Sequence, residues 1–232
     1  MSQTFSLTEI GVARTCFPEK FGVPRQPGLV SAATGVVAIH PEFSMPEAWK
    51  GLEMFSHIWL LFIFDRNQNQ DWKPVVRPPR LGGNKKVGVF STRSGFRPNP
   101  IGISCVELES VKFSNALTEL HVRGLDLVDG TPILDIKPYI HYADAIHDAN
   151  SAFANERPTS QCKVEFSADA EQILASLQNG MEMRRLIEQL ISLNPIPAYQ
   201  TGSDREYGMR LQHCNIKWKL EGKLARVFSI ES

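Results

Sequence analysis

The residues best suited to chemistry in this chain lie between positions 77 and 102, where arginines alternate with residues that shape loops. Arginine, proline and glycine fill half of these positions, with four arginines, four prolines and five glycines. Proline fixes φ and glycine opens the left-handed region, so a segment rich in both forms a shaped loop instead of a helix. Such a loop can hold guanidinium groups in place at a lower entropic cost than a flexible one. The segment therefore predicts a binding site for an anion.

Charge is segregated along the chain. The whole chain is neutral, with 25 Lys and Arg against 25 Asp and Glu. Residues 66–97 carry eight basic side chains and one acidic, whereas residues 126–182 carry ten acidic and three basic. This pattern suits a protein with one face that meets a polyanion, but a solvated basic surface would have the same pattern. Charge alone leaves both interpretations open.

The composition indicates a globular protein. The chain has 232 residues, 42% of them hydrophobic, which is enough to bury a core in one large domain or two smaller ones. No apolar stretch reaches the roughly eighteen residues of a membrane span, and the first residues lack a signal-peptide pattern, so we expect a cytoplasmic protein with no membrane partner. The cysteines are scattered, without metal-ligand spacing, so neither disulfides nor a metal site is predicted.

Strand-forming segments dominate the first two thirds of the chain. Runs of β-branched and aromatic residues predict seven strands, at residues 5–14, 35–40, 56–64, 86–91, 101–113, 117–122 and 132–137. The run 57–64 is almost continuously apolar and is predicted to be covered on both faces. One helix is predicted over residues 46–54. Seven short strands with long loops are typical of a barrel or a sandwich.

The last third of the chain has a different pattern. Helical spacing of apolar residues begins at Asp169, is interrupted at Asn179-Gly180 and ends before Pro195. Three further strands are predicted, at residues 207–211, 215–220 and 225–230. We therefore predict a mainly β protein, with an N-terminal β-barrel over residues 1–145 and a small C-terminal α+β domain over residues 146–232.

The familiar nucleotide-binding and hydrolase motifs do not occur. The sequence has no Gly-x-Gly-x-x-Gly run and no Gly-x-Ser-x-Gly run. Residues 82–86, Gly-Gly-Asn-Lys-Lys, are flanked by predicted strands and prolines instead of the start of a helix, which argues against a phosphate-binding loop. Taken by themselves, the residues define a β-rich protein with an anion-binding loop.

Several motifs resemble the TrmO family, also called TsaA-like or YaeB-like. They extend over most of the chain, at residues 21–29, 51–59, 77–80, 90–94, 97–102, 125–139, 195–199 and 215–218. Members of that family are S-adenosylmethionine-dependent tRNA (adenine-N6)-methyltransferases. The resemblance implies a β-barrel enzyme that acts on tRNA as a homodimer, with S-adenosylmethionine near the subunit interface. The implied substrate is N6-threonylcarbamoyladenosine, 3′ of the anticodon in threonine tRNA, which receives a methyl group on N6.

The resemblance also implies which residues contact the cofactor. They are Gln26, Pro27, Gly28, Asp65, Arg66, Arg93, Ile103, Asp126, Leu127, Val128 and Asp129. Arg93 could bind the cofactor carboxylate with two hydrogen bonds, and Asp65 or Asp126 could accept from its ammonium or ribose hydroxyls. Asp65-Arg66 departs from the family pattern, in which a histidine is common at this place.

Some of these residues have simpler structural interpretations. Asp129-Gly130 is what a tight turn between strands requires, and Pro27-Gly28 is a common turn dipeptide. Methyl transfer from a sulfonium depends mainly on alignment, and a weak base could assist by removing the N6 proton. We predict that Asp126, or alternatively His57, is this base or orients the nucleophile. For His57 the competing interpretation is a structural role at the start of a strand.

Basic and aromatic residues predict the RNA-binding surface, which consists of Arg77, Arg80, Lys85, Lys86, Arg97 and Tyr199. The cations would meet phosphates, and Tyr199 or Phe96 could stack on a base of an open loop. The C-terminal domain is predicted to assist tRNA binding. A structural salt bridge is the alternative for any single cation. A non-catalytic RNA-binding β-barrel without a cofactor and a phosphate-handling enzyme are the two competing functions.

Overall fold

The computed structural model describes residues 3–67, 71–196 and 205–231. Within these residues, the first part of the chain contains eight strands and two short helices. In chain order they are β1 (Gly11–Thr15), β2 (Thr34–Ile39), α1 (Pro46–Trp49), β3 (His57–Ile63), β4 (Val75–Val76), β5 (Val87–Gly88), β6 (Ile101–Ser114), β7 (Leu117–Arg123), β8 (Thr131–Pro138) and α2 (His141–Asp144).

Six of these strands close into an antiparallel barrel in the order β1-β2-β7-β6-β3-β8. Alternate side chains point inward, as in β3, where Ile58, Leu60 and Phe62 are buried. The interior also holds Ala13, Val37, Ile39, Val106, Leu120, Val122 and Ile133. The small strands β4 and β5 pair outside the barrel and bring together the two ends of the loop 77–86, which is the first part of the arginine-rich residues 77–97, called here the basic segment. The predicted mainly β fold with an N-terminal barrel is confirmed.

The last part of the chain forms the predicted α+β unit. Its elements are β9 (Lys163–Phe166), α3 (Ala168–Ser176), α4 (Gly180–Ser192), β10 (Glu206–Leu211), β11 (Cys214–Glu221) and β12 (Leu224–Glu231). The sheet has the order β10-β11-β12-β9, with β9 parallel to β12. Helix α3 begins at a serine cap, because the Ser167 Oγ accepts a hydrogen bond from the Ala170 N–H at 3.2 Å. Among the described residues, no helix is long and apolar enough to cross a bilayer.

A segment from the N-terminal part completes the core of the α+β unit. Residues 16–33, between β1 and β2, place Phe17, Val30 and Ala33 in the same buried cluster as the side chains of α4 and the sheet. Phe21 stacks on Trp218, with ring centroids 6.2 Å apart and planes 9° from parallel. Residues 16–33 therefore belong to the core of the α+β unit, which is separate from the barrel core.

Two predicted strands are shorter than expected. Strand β1 starts at Gly11, and the preceding Phe5 and Leu7 are 76% and 59% exposed. Strand β5 ends at Gly88, and Val89–Ser91 forms a 3₁₀ turn instead. Apolar composition alone does not make a strand, because each strand also needs a neighbour that accepts its backbone hydrogen bonds.

Other elements differ for local or long-range reasons. The helix predicted over residues 46–54 ends at Trp49, because Gly51 adopts φ +91° before a short 3₁₀ turn. Both faces of β3 were predicted to be covered, but the outer face is covered only in part, since its apolar side chains are half-buried and His57 is exposed. Strand β9 was not predicted, because its four residues pair with β12, which lies far along the sequence.

The four cysteines are unpaired thiols. Cys16, Cys162 and Cys214 are buried, and Cys105 is half-buried. Burial raises the pKa of Cys16 to about 12, so this thiol stays protonated near neutral pH. We expect no nucleophilic role for it.

Candidate active site

A cleft of about 300 Å³ opens at one end of the barrel, beside the basic segment. Three parts of the chain line it. Residues 24–26 form one wall and the basic segment contributes a second. The third consists of the end of β3 with Phe64, the start of β6, and Asp126, which follows β7. The lining residues are Pro24, Arg25, Gln26, Phe62, Phe64, Thr92, Arg93, Arg97, Ile101, Gly102, Ile103, Ser104 and Asp126. This volume lies at the lower end of the range for small-molecule sites in proteins.

The barrel wall of the cleft is aromatic. The rings of Phe62 and Phe64 meet edge to face, with centroids 5.1 Å apart. Phe62 lies opposite Gly102 in the β3–β6 register. A Cβ at Gly102 would lie 2.2 Å from two carbons of the Phe62 ring, so the ring can occupy this place only because the facing residue is glycine. The result is an apolar surface that suits a planar ring such as adenine.

Asp126 is the carboxylate in the cleft. Burial raises its pKa from 3.8 to about 6, against the opposing effects of hydrogen bonds and of the nearby Arg93 charge. The Ser104 Oγ donates a hydrogen bond to the Asp126 Oδ1 at 2.6 Å, which fixes the orientation of the carboxylate. A carboxylate with a pKa near 6 can accept a proton and release it again near neutral pH.

Three guanidinium groups line the same cleft, and they differ in their hydrogen bonds. Arg93 donates to the Gln26 Oε1 at 2.8 Å. Arg97 donates from one nitrogen to two backbone carbonyls of its own loop, those of Thr92 and Ser94, both at 3.1 Å. Arg25 has no hydrogen bond or ion pair with any residue that the structure describes, and burial lowers its pKa. The cleft is therefore electropositive, with at least one cation ready to bind an anion.

Four of the residues that the resemblance implied as cofactor contacts line this cleft. They are Gln26, Arg93, Ile103 and Asp126, which come from four separate parts of the chain. Pro27 and Gly28 follow Gln26 in the same turn without lining the cleft. The fold thus brings together residues that lie up to a hundred positions apart in the sequence.

The other implied contacts lie outside the cleft lining. Leu127 is buried in the barrel core, and the Val128 carbonyl accepts a hydrogen bond from Thr131. The Asp129 Oδ1 accepts from the Thr15 N–H at 2.8 Å, which supports the turn interpretation of Asp129-Gly130. Asp65 and Arg66 follow β3 in a short 3₁₀ turn.

Arg66 has a structural role in this turn. Its guanidinium donates to two backbone carbonyls, that of Pro18 at 3.2 Å and that of Asp129 at 2.9 Å. It thereby links the segment after β3 to the β7–β8 turn. Its charge is exposed and outside the cleft lining, so its contribution is to the shape of the site.

His57 lies far from the cleft. It begins β3, whereas Phe62 near the end of that strand lines the cleft, and five residues of strand extend about 16 Å. The side chain is exposed, with its Nδ1 at 2.9 Å from the Ser56 Oγ and its ring next to Tyr139. The geometry thus favours the structural interpretation of His57 over the catalytic one.

Several lining residues were not among the predicted contacts, notably Arg25, Phe62, Phe64 and Ser104. A sequence signal existed for Arg25, which precedes Gln26 in the same turn. No sequence signal marks Ser104, because its approach to Asp126 depends on the pairing of β6 with its neighbours. The same holds for the Phe62–Gly102 pair, which depends on the β3–β6 register.

The predicted RNA-binding residues differ in their exposure and in their hydrogen bonds to other residues. Arg77, Lys85 and Lys86 are exposed. The Arg80 guanidinium donates to the backbone carbonyl of Glu156, and Arg97 faces the cleft. Tyr199 lies outside the described residues. Over residues 3–67, 71–196 and 205–231, no group of three or more His, Cys, Asp or Glu could hold a metal ion.

The fold and cleft together define a class: a β-barrel protein with a small-molecule site that combines aromatic rings, arginines and one carboxylate of raised pKa. Comparisons with known proteins narrow this class. Residues 12–145 match the tRNA-methyltransferase O N-terminal domain, and residues 159–232 match the TrmO C-terminal domain. The chain therefore belongs to the TrmO family.

Individual relatives agree with this assignment. The chain is 42% identical over 231 residues to the tRNA (adenine(37)-N6)-methyltransferase of Escherichia coli, covering 98% of each chain. It is 44% identical over 220 residues to a Pseudomonas aeruginosa protein named for S-adenosylmethionine-dependent methyl transfer, covering 93% of this chain and 92% of the relative. The crystal structure of TrmO from Pseudomonas aeruginosa superposes with a TM-score of 0.82 at 38% identity, over 99% of both chains.

These findings confirm three of the predictions. The family is the one that the motifs resembled, the chain is a methyltransferase and not a non-catalytic RNA-binding module, and its cofactor is S-adenosylmethionine. The identity extends over the α+β unit as well as the barrel.

Proposed function

We propose that this protein methylates N6 of N6-threonylcarbamoyladenosine at position 37 of threonine tRNA. The tRNA and the adenine position are those in the name of the Escherichia coli relative. The observation that carries the proposal is the cleft, which is lined by the carboxylate of Asp126, with a pKa of about 6, and by three arginines. The threonylcarbamoyl group and the threonine tRNA go beyond the relatives' names and rest on the arguments below.

The cleft residues fit S-adenosylmethionine. Phe62, Phe64 and Ile103 offer apolar cover for an adenine ring, and Arg93, held by Gln26, offers a fork of donors for a carboxylate. When bound, the cofactor supplies an electrophilic methyl group on a sulfonium, which is an excellent leaving group. The chain's own task is then to align the substrate and to manage one proton.

Asp126 is suited to manage that proton. The N6–H of a carbamoylated adenine lies between a carbonyl and an aromatic ring, so it is more acidic than that of adenine itself. A carboxylate with a pKa of about 6 is basic enough to assist its removal, and the Ser104 hydrogen bond holds the carboxylate in one orientation. We propose Asp126 as the base and leave His57 with a structural role.

The number of arginines supports a carbamoylated substrate. The cofactor has one carboxylate, and the threonyl group of the substrate has a second. Arg93 is oriented by Gln26, whereas Arg25 has no partner among the described residues and lines the same cleft. We assign the cofactor carboxylate to Arg93 and the threonyl carboxylate to Arg25, because each carboxylate then meets its own guanidinium.

The substrate assignment predicts a clear difference between two tRNAs. We expect the purified protein to methylate threonine tRNA that carries the threonylcarbamoyl group, and to leave the unmodified transcript unchanged. We expect Arg25→Ala to raise the KM for the modified tRNA about 10- to 100-fold, as the loss of a charged hydrogen bond would, while the Kd for S-adenosylmethionine changes little. Mass spectrometry of the digested tRNA and calorimetry measure the two effects.

Arg25→Lys is the control for this prediction. It keeps the charge but loses the planar fork, so a partial loss is expected. Equal methylation of modified and unmodified tRNA would contradict the proposed substrate. A normal KM for Arg25→Ala would contradict only the role of Arg25.

The exposed basic side chains near the cleft are proposed to meet tRNA phosphates. Arg77, Lys85 and Lys86 fit this role best, because their side chains are exposed and Arg80 is engaged by Glu156. We propose that the α+β unit assists, with its boundary at residue 145 as predicted from the sequence.

A double variant tests the basic surface. Each phosphate contact contributes about 0.7 to 0.9 to the slope of log K against log salt, so Lys85→Ala with Lys86→Ala should lower that slope by about 1.5. Filter binding of tRNA at several salt concentrations measures the slope. Lys112→Ala, on an exposed part of β6 about 30 Å of strand away from the cleft, is the control. An unchanged slope in the double variant would remove these lysines from the RNA surface.

A homodimer through the outer face of the barrel is also proposed. On this face Leu61 of β3 pairs with Ile103 of β6, and Ile63 pairs with Ile101. Ile103 is 44% exposed and Ile101 is 39% exposed. They also line the cleft, so a partner on this face would bring the interface next to the cofactor, as the resemblance implies. A monomer mass in sedimentation equilibrium at micromolar concentration would contradict this. We also propose that the protein is located in the cytoplasm.

A further inference from the structure

Residues 24–28, called here the cleft loop, are anchored in the α+β unit. On one side of the loop Phe17 is fully buried in the core of the α+β unit, and on the other side Val30 and Ala33 are buried there too. The Ala32 N–H also donates to the Gln189 Oε1 of α4 at 3.0 Å. The loop thus forms a wall of the barrel cleft, while both of its ends are fixed by the second unit.

Both peptide groups of Gly28 are hydrogen-bonded. Its N–H donates to the Gly124 carbonyl at 2.8 Å, and its carbonyl accepts from the Arg157 Nη2 at 2.7 Å. A Cβ at Gly124 would lie 3.2 Å from the Gly28 N and Cα, so the two segments approach this closely because residue 124 is glycine. Gly124 precedes Asp126 by two residues. The first bond therefore fixes the cleft loop against the segment that carries the carboxylate.

Arg157 comes from the segment that connects the barrel to the α+β unit. Its neighbour Glu156 accepts a hydrogen bond from Arg80 of the basic segment. The connecting segment therefore contacts two walls of the cleft, the basic segment through Glu156 and the cleft loop through Arg157. From the cleft loop, the contact continues through Gln26 to Arg93.

We propose that Arg157 is a positioning residue that sets the affinity for S-adenosylmethionine by holding the cleft loop through Gly28. The inference rests on cofactor binding in the cleft. A guanidinium bound to a carbonyl is one of the stronger hydrogen bonds in proteins. Without it, the cleft loop has more freedom in the ligand-free protein, and binding must order it, which weakens affinity. The α+β unit and its connecting segment then maintain the shape of the cofactor site in addition to any contact with tRNA.

The test compares cofactor affinity in four full-length proteins without tRNA. Calorimetry with S-adenosylmethionine, and separately with its demethylated product, should give a Kd about 10-fold higher for Arg157→Ala than for wild type. Arg157→Lys should fall between the two, since lysine can still donate one hydrogen bond. Arg185→Ala removes an exposed arginine of α4 outside the cleft and should match wild type. At saturating cofactor, kcat should stay within about twofold of wild type.

Hydrogen exchange gives a second readout in the ligand-free protein. We expect faster exchange in residues 24–33 of Arg157→Ala and unchanged exchange in the barrel strands. An unchanged Kd in Arg157→Ala would overturn the inference. A rise in Kd that accompanies faster exchange across the whole barrel would also overturn it. The same holds for full affinity in Arg157→Lys together with wild-type exchange in Arg157→Ala. If wild type itself bound neither compound, the proposed function would fail, whereas a failure of Arg157 alone leaves that function intact.

Discussion

Asp126→Asn is expected to lower kcat about 100- to 1,000-fold while the protein stays folded. This is the size of effect that removing a general base usually has. The asparagine keeps the shape of the side chain and can still accept the Ser104 hydrogen bond, but it cannot take a proton. Single-turnover methylation of the modified tRNA, with cofactor and enzyme in excess, measures the effect on the chemical step.

The same variant should change the pH profile. In the wild type, burial raises the Asp126 pKa to about 6, so the carboxylate is protonated and inactive as a base below that pH. Activity should therefore rise with pH through about 6 and then level off. The residual activity of Asp126→Asn should lack this rise, because the variant has no group at this position that titrates.

As the pH rises, the wild-type protein should lose stability while its activity increases. The unfolded chain has an Asp126 pKa near 3.8 and the folded chain one of about 6, so the ionised form is disfavoured in the fold. The free energy of unfolding is therefore highest below pH 3.8, where Asp126 is protonated in both states. It falls by an amount on the order of 3 kcal/mol as the pH rises through 6. Asparagine avoids this cost. Calorimetry should therefore show a higher melting temperature for Asp126→Asn at pH 8 and little difference near pH 4.

Asp135→Asn serves as the control for both effects. Asp135 is a half-buried aspartate on β8 that forms an ion pair with Lys137 at 2.8 Å, outside the cleft lining. It should retain near-normal kcat and the normal pH profile. Turnover by Asp126→Asn at the wild-type rate, with saturating substrates, would exclude Asp126 as the base.

Arg93→Ala is expected to raise the Kd for S-adenosylmethionine about 100-fold. The arginine is proposed to bind the cofactor carboxylate, and its guanidinium is already oriented by the Gln26 Oε1 at 2.8 Å. Losing a charged hydrogen-bond partner of a carboxylate has an effect of this size. Calorimetry in the absence of tRNA measures it, and Arg93→Lys should lose less affinity because it keeps the charge.

Arg93→Ala should also shift the pH profile. The positive charge of Arg93 lowers the pKa of Asp126, so removing it raises that pKa above about 6. At saturating cofactor, the acidic limb of the variant should therefore lie at higher pH than that of wild type, and activity lost at pH 7 should partly return at pH 9. Normal cofactor affinity together with an unshifted limb would contradict both roles of Arg93.

Local sequence patterns were enough to predict much of the architecture. Alternating and β-branched runs predicted most of the barrel strands, because a strand with one buried face has an apolar residue at every second position. The predictions failed where pairing or backbone conformation decided the outcome. Residues 5–10 have strand-like composition but lie outside β1, and Gly51 divides a segment with helical spacing.

The sequence by itself determined the fold class, the segregation of charge, and the loop-forming character of the arginine-rich segment, since proline, glycine and charge act over a few residues. The tertiary structure decided which residues meet. Asp126 lies beside Ser104 and Arg93, whereas Asp129, three residues later, accepts from the Thr15 N–H in a turn. His57 is one strand length from the cleft, and Arg157 reaches Gly28 from the connecting segment. These outcomes depend on strand register and long-range packing, which no single stretch of sequence encodes.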